Sequence, residues 1–167
     1  MIKAFDLSVS VFVRGLTNLK GQLKKGVAHA ASRGIDPAAL LTARLADDMY
    51  TLAAQAHWSG AAAELSAQRL LGIEATPQTD EAKSFAELQE RLDATIACLG
   101  AVDPAALEAG LERTIVIPHR GGSRSFSGDR FLTEFAIPSF YFHLTTAYAI
   151  LRHEGVPLQK GDFLGAW

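Results

Sequence analysis

At 167 residues, 49% apolar and 20% charged, the sequence describes one globular domain that can bury a core without disulfide or metal staples. A net charge near −2 excludes a chain built to coat nucleic acid, because phosphate neutralisation needs clustered excess Lys and Arg. The single Cys98 excludes an intramolecular disulfide; within the apolar run TIACLGAV and without a basic neighbour, it is expected to be a buried, inert thiol.

The amino-terminal MIKAFDLSVSVFVRG carries Asp6 and Arg14 inside its apolar part, which makes it a poor signal peptide. No uninterrupted apolar run approaches the roughly 20 residues needed to span a bilayer, so no membrane partner is expected and the expected compartment is the cytoplasm. A first helix is read from Phe5, Val9, Phe12, Leu16, Leu19 and Leu23, a single seam from which Arg14, Lys20, Lys24 and Lys25 point away. GIDPAALL then restarts helix, with Asp36 as N-cap and Pro37 in the first turn.

A second helix is expected from about Asp47 to Leu71, with Leu45, Met49, Leu52, Ala56, Ser59 and Ala63 on one stripe and Gly72 as its stop. Its alanine content allows close helix approach. EATPQTDEAK reads as a linker. Ser84 and Glu87 form a capping box at the start of a third helix, whose apolar face is Phe85, Leu88, Leu92, Ile96 and Leu99. VDPAAL at residues 102–107 repeats IDPAAL at 35–40, which independent use of Asp-Pro to open a helix explains without a duplicated half-bundle.

The β-branched run and glycines of RTIVIPHRGGSRSFSG read as a hairpin, its arginines and His119 forming a solvated tip. Asp129 is expected to cap a last helix that runs through a kink at Pro138 to about Glu154 and stops at Gly155. This helix is apolar on nearly every face and should be the most buried. The fold class is therefore all-α: a four-helix bundle with a short β-hairpin before the last helix, one domain over residues 1–167 with a C-terminal arm from about 156.

His143 and His153 lie on that last helix ten positions apart, roughly 15 Å along the axis and about 80° around it, so one metal ion cannot join them. His153 suits a last-turn cation facing the helix dipole. His143 shares a narrow polar stripe with Ser139 and Thr146, and a buried imidazole there needs a partner. On the second helix, Asp48, Leu52, Gln55 and Ser59 share a face, so Asp48 or Gln55 is the expected partner across the core. Two readings stand: a satisfied network that fixes helix register, or a ligand pocket or incomplete metal site around His143. His57 points away from that face, on a small-residue stripe beside Trp58, while His29 and His119 read as surface or loop residues.

The segments LADDMYTLAAQ, PSFYFHLTTAYAILRHEGV and the terminal DFLG, with the bundle-and-hairpin order, resemble the DinB-like superfamily of metal-dependent bundle proteins, and specifically one uncharacterised domain-of-unknown-function branch of it. The likeness spans essentially the whole chain. It implies a histidine ligand on the second helix and an HxxxH pair on the fourth. Here His143 fills one fourth-helix place and its partner position holds Ala147, while Gln55 or His57 stands on the second helix. The metal candidates are thus His143 and His57, and a stoichiometric divalent metal is not expected. A homodimer is expected, since DinB-like members often pair through bundle faces and the alanine-rich second helix with Trp58 offers one. The functional alternatives are an enzyme using His143, Asp48 and Gln55, with Tyr141 or Thr146 nearby, and a non-enzymatic structural or small-ligand-binding homodimer with His143 in its core.

Overall fold

The computed structural model describes residues 3–75 and 82–165, and the middle of the expected linker lies outside them. The first apolar seam folds as a short turn, α1 (Ala4–Leu7), and a long helix, α2 (Val9–Ser32). They break at Ser8, whose backbone (φ −117°, ψ −82°) leaves the helical region and whose hydroxyl donates to the Ala4 carbonyl at 2.6 Å. Val9, Phe12, Leu16, Leu19 and Leu23 are buried as their spacing requires. Asp36 opens α3 (Pro37–Thr42) by accepting the Ala38 N–H at 2.9 Å.

The second long helix starts later than its stripe suggests: α4 runs Leu52–Leu71. The Arg44 guanidinium bonds the carbonyls of Asp47 (3.3 Å) and Met49 (3.4 Å), holding residues 44–50 as turns, and the Leu52 N–H returns to the Ala43 carbonyl at 2.8 Å. Thr51, extended at φ −66° and ψ 166°, then caps α4 by accepting the Ala54 N–H at 3.2 Å. An N-cap in that conformation cannot continue a helix upstream. Gly72, at φ 70°, ends α4 in the left-handed conformation that glycine adopts without strain.

α4 packs most extensively against the helix at Ile137–His153 and then against that at Phe85–Gly100. Ala53, Ala56, Ala63 and Ala67 are buried, the small side chains that let neighbouring helices approach α4 closely. α5 (Phe85–Gly100) begins at Ser84, which accepts the Glu87 N–H at 3.1 Å. The reciprocal half of the expected capping box shifts by one residue: Glu87 accepts the Lys83 N–H at 2.8 Å and pairs with Arg91 at 2.5 Å. These bonds, the Lys83 N–H first, hold its carboxyl below the usual range. Leu88, Leu92, Thr95 and Leu99 face inward, which turns Cys98 out of phase with the seam and makes it an exposed thiol rather than the buried one expected.

Asp103 opens α6 (Pro104–Ala109) as Asp36 opens α3, accepting the Ala105 N–H at 3.0 Å. A 3-10 turn at Gly110–Glu112 leads into the antiparallel hairpin of β1 (Thr114–His119) and β2 (Gly122–Ser127), with His119 opposite Gly122. Ile115 and Ile117 are buried while Val116 faces out. Both roots of this region sit on glycines: a Cβ on Gly110 would collide with the Leu70 carbonyl, and one on Gly128 with the Gly110 carbonyl. The 3-10 turn is thereby pressed, backbone to backbone, against the end of α4, and the chain leaving β2 against that turn.

From β2 the chain passes through a single turn, α7 (Gly128–Arg130), into a wide π turn at Phe131–Ala136 and then α8 (Ile137–His153). Pro138 has no N–H to donate, and the widened turn just before it is where the ladder adjusts to that loss. Ser127, not Asp129, occupies the N-cap position; Asp129 sits inside the first turn and accepts the Ser127 hydroxyl at 2.5 Å. The core side of α8 meets α2 where Phe140 lies 4.7 Å from Phe12, centroid to centroid, over Gly15. α8 is not buried all round, since Phe142 is exposed. Gly155 (φ 83°) follows its end.

The C-terminal segment is docked along α2. Val156 and Leu158 are buried, and α9 (Lys160–Leu164) is held by Asn18 Nδ2 to the Phe163 carbonyl (3.0 Å), Gln22 Nε2 to the Asp162 carbonyl (3.1 Å) and Lys25 to the Asp162 carboxylate (2.5 Å). Among the described residues, no single helix is long and apolar enough to cross a membrane.

Candidate functional site

Two stripes face each other along the outer edge of the α4–α8 contact. On α4, Gln55, Trp58, Ala62, Ser66 and Arg69 recur at steps of three and four, which keeps them on one side of a helix. On the π turn and α8, Phe135, Ser139 and His143 recur every four residues. They meet first at His143, whose Nδ1–H donates to Gln55 Oε1 at 2.8 Å. Gln55 is only 1% exposed, so its amide oxygen depends on that donor. With Nδ1 carrying the proton, the neutral ring keeps its lone pair on Nε2, and no hydrogen bond or ion pair reaches Nε2 among the described residues. Burial pushes the imidazole below its ordinary pKa, which favours this neutral form near pH 7.

Aromatic rings surround the imidazole. Tyr50, Trp58 and His143 lie 6.4–6.5 Å apart pairwise with planes 12–29° from parallel. Three near-parallel rings at near-equal separations cannot form one stacked column, so they form a triangular patch. Phe142 adds an edge contact to His143 at 5.3 Å. Tyr50 and Phe142 are 53% and 57% exposed, large apolar rings left to solvent beside a half-buried histidine.

Next to this patch is a cavity of about 240 Å³ between the two stripes, roofed by Ile117 and Pro118 of β1. Trp58 and His143 belong to both the patch and the cavity, whose far end reaches Ser66 and Arg69 on α4 and Ser139 on α8. The cavity exists because the hairpin lands on the helix pair. A larger groove of about 460 Å³ lies between α4 and the end of α5, lined by Leu71, Ile73, Cys98 and Val102, but its apolar walls converge on no imidazole.

Several expected site residues fall elsewhere. Asp48 lies exposed in the turns before α4, because the Arg44 tie and the Thr51 cap remove it from the helical face it was expected to share with Gln55. The same turns deliver Tyr50 to His143 instead. His57 is half-buried on a neighbouring face of α4, edge-on to Trp58 at 5.4 Å. Tyr141 packs against Phe140, and the Thr146 hydroxyl donates to the Phe142 carbonyl at 2.6 Å, so neither lines the cavity. His153 is exposed at the end of α8, His119 is exposed on the hairpin, and His29 is half-buried near Gly155. Arg69 carries no such signal in the sequence: a basic residue three positions before Gly72 reads as a dipole partner, and only its step of three from Ser66 places it on the cavity stripe.

The residues present do not fit the three-imidazole site that the superfamily resemblance implies. The HxxxH partner position is Ala147, fully buried in the core. Among the described residues, no group of three or more His, Cys, Asp and Glu side chains is arranged to hold a metal ion.

Comparison with known proteins agrees with this architecture. The family model described as Domain of unknown function (DUF1993) matches residues 4–164. Among solved structures, the crystal structure of a DinB family member protein from Shewanella denitrificans is similar at a TM-score of 0.91 and 36% identity, covering 98% of this chain and 92% of that one. A comparison with curated proteins gave no match.

Proposed function

The chain belongs to the family of the Domain of unknown function DUF1993, an uncharacterised branch of the DinB-like bundles, and from that premise we propose that it is a small-molecule-binding protein whose site is the cavity beside His143. One observation carries the reading. A buried amide, Gln55, fixes the His143 tautomer so that Nε2 presents a lone pair beside an aromatic-walled cavity. A histidine kept only for packing has no need of a free nitrogen next to exposed rings, whereas a binding site combines apolar walls with a few oriented polar groups. The fixed Nε2 is equally equipped to take a proton from a bound molecule, so the same site can serve general-base chemistry. No step in this reading passes through a metal, because the ligand set does not fit one.

The test is a fragment screen by heteronuclear NMR on the full chain. Binding fragments should perturb the Trp58 indole and the His143 ring together. Perturbations confined to the α4–α5 groove around Cys98 would instead move the site there. Elemental mass spectrometry on natively purified protein should find transition metal well below one equivalent; near-stoichiometric zinc or nickel that is lost in His143→Ala would overturn the metal-free form.

A further inference from the structure

We propose that the His143 cavity takes a small planar carboxylate, with Arg69 as its countercharge. The inference rests on the binding reading above and names the class of ligand. Arg69 lines the cavity together with Ser66, Ser139, Trp58 and His143. Its place in the last turn of α4 explains a basic residue there through the helix dipole. It does not explain why the side chain is half-buried with no partner: among the described residues, no hydrogen bond or ion pair reaches a guanidinium that has five N–H groups to donate. Arg91 and Arg152, by contrast, donate to the Glu87 carboxylate and the Val156 carbonyl. Burial without a counterion disfavours the charged group, as its lowered pKa records.

The cavity supplies no anion of its own. No Asp or Glu lines it; Glu64, on the same helix, lines the α4–α5 groove instead. With His143 neutral, Arg69 is the one charged lining residue, and a single cation is balanced by a monoanion. A carboxylate matches the planar guanidinium fork with two parallel hydrogen bonds, and Nε2 of His143 and the two serines remain for a second polar group. The Trp58, His143 and Phe135 rings that line the cavity, with Tyr50 and Phe142 in ring contact beside them, suit a conjugated body. At about 240 Å³ the space equals about eight water volumes of roughly 30 Å³, enough for a molecule on the order of ten non-hydrogen atoms.

The experiment compares benzoate with its neutral isostere benzamide, by NMR titration of the full chain read at the Trp58 indole, in wild type, Arg69→Met and Arg69→Lys. Benzoate should bind about tenfold more tightly than benzamide to wild type. The preference should vanish in Arg69→Met and persist in weakened form in Arg69→Lys, which keeps the charge and covers the case of a poorly folded Met variant. Equal affinities in wild type would overturn the carboxylate inference and leave the binding reading standing. A preference retained in Arg69→Met would overturn the role of Arg69. Titrations that leave Trp58 unmoved by either compound would overturn the cavity as a site, and both conclusions with it.

Discussion

Adjacent stripes of α8 meet different surroundings. Phe140, Leu144, Ala147 and Leu151 are at most 1% exposed and fill the bundle against α2 and α4. One residue earlier at each turn, Ser139 and His143 lie half-buried beside the cavity. A helix turns about 100° per residue, so a shift of one position carries a side chain from dry core to the rim. The first stripe is close-packed to the point of excluding a side chain on its partner: a Cβ on Gly15 would come within 2.7 Å of the Phe140 ring. The second is loose by construction, since the small Ala62 and Ser66 of α4 face it and the hairpin, not a helix, closes it. Fold stability should therefore respond to the first stripe and ligand binding to the second.

The sharpest test of that division is Phe140→Ala. The ring packs on Phe12 and on a glycine that cannot fill the space, so the loss should be about 3–5 kcal/mol in chemical denaturation, at the upper end for core truncations. A loss under about 1 kcal/mol would erase the distinction between the stripes. Ala147→His comes next and tests it from the other side. It restores the HxxxH pattern of metal-binding DinB-like bundles, but at a fully buried core position. Overpacking should cost about 1–3 kcal/mol, with a further penalty for an unpaired buried imidazole, and zinc should not rescue the melting temperature. A zinc-dependent rise would show that the two stripes can cooperate in one site.

His143→Ala should cost less, about 1–2 kcal/mol, because water can enter a half-exposed position while Gln55 loses its donor. The partner assignment is checked by double-mutant cycles. His143→Ala should couple to Gln55→Ala by more than about 0.5 kcal/mol and be additive with Asp48→Ala, whose carboxylate sits exposed outside the helix. Coupling to Asp48 alone would reverse the placement of the two residues.

How far the fold could be read beforehand follows from where its information lies. The seams of α2 and α5 and the twin Asp-Pro starts of α3 and α6 are local, periodic or both, and the structure reproduces them. The start of α4 is not local: the long reach of Arg44 to two carbonyls decides it, and no hydrophobic period records such a tie. That single feature removes Asp48 from the site and installs Tyr50. Cys98 is exposed despite its apolar neighbours, because the seam of α5 passes through Leu92, Thr95 and Leu99 and leaves position 98 outside it. His143 and Gln55 were readable because an imidazole and an amide on apolar helices must find partners. The hairpin's part in the cavity lining and Arg69 were not, since both depend on where the hairpin lands, and its roots are set by backbone contacts at Gly110 and Gly128.

The smallest effect expected is also the one most specific to the second stripe. Burial holds the His143 pKa below its ordinary value of about 6.5, which is also the value expected for the unfolded chain. Between the folded and unfolded values the unfolded chain binds more protons, so stability rises with pH there. The contribution is therefore fully present above about pH 7 and is lost as pH falls through 6.5 towards the folded pKa. Arg69 lines the same cavity as the imidazole, while Glu87, Asp129, Glu134 and Asp162, all held below their usual values, act in the same direction but in a lower window. His143→Gln keeps a hydrogen-bonding side chain at the position and removes its titration. Urea midpoints from about pH 8 to about pH 5 should thus fall more steeply for wild type than for His143→Gln, so that the gap between the two curves changes with pH. Parallel curves for wild type and His143→Gln would place the imidazole in solvent, and α8 would then carry one working stripe instead of two.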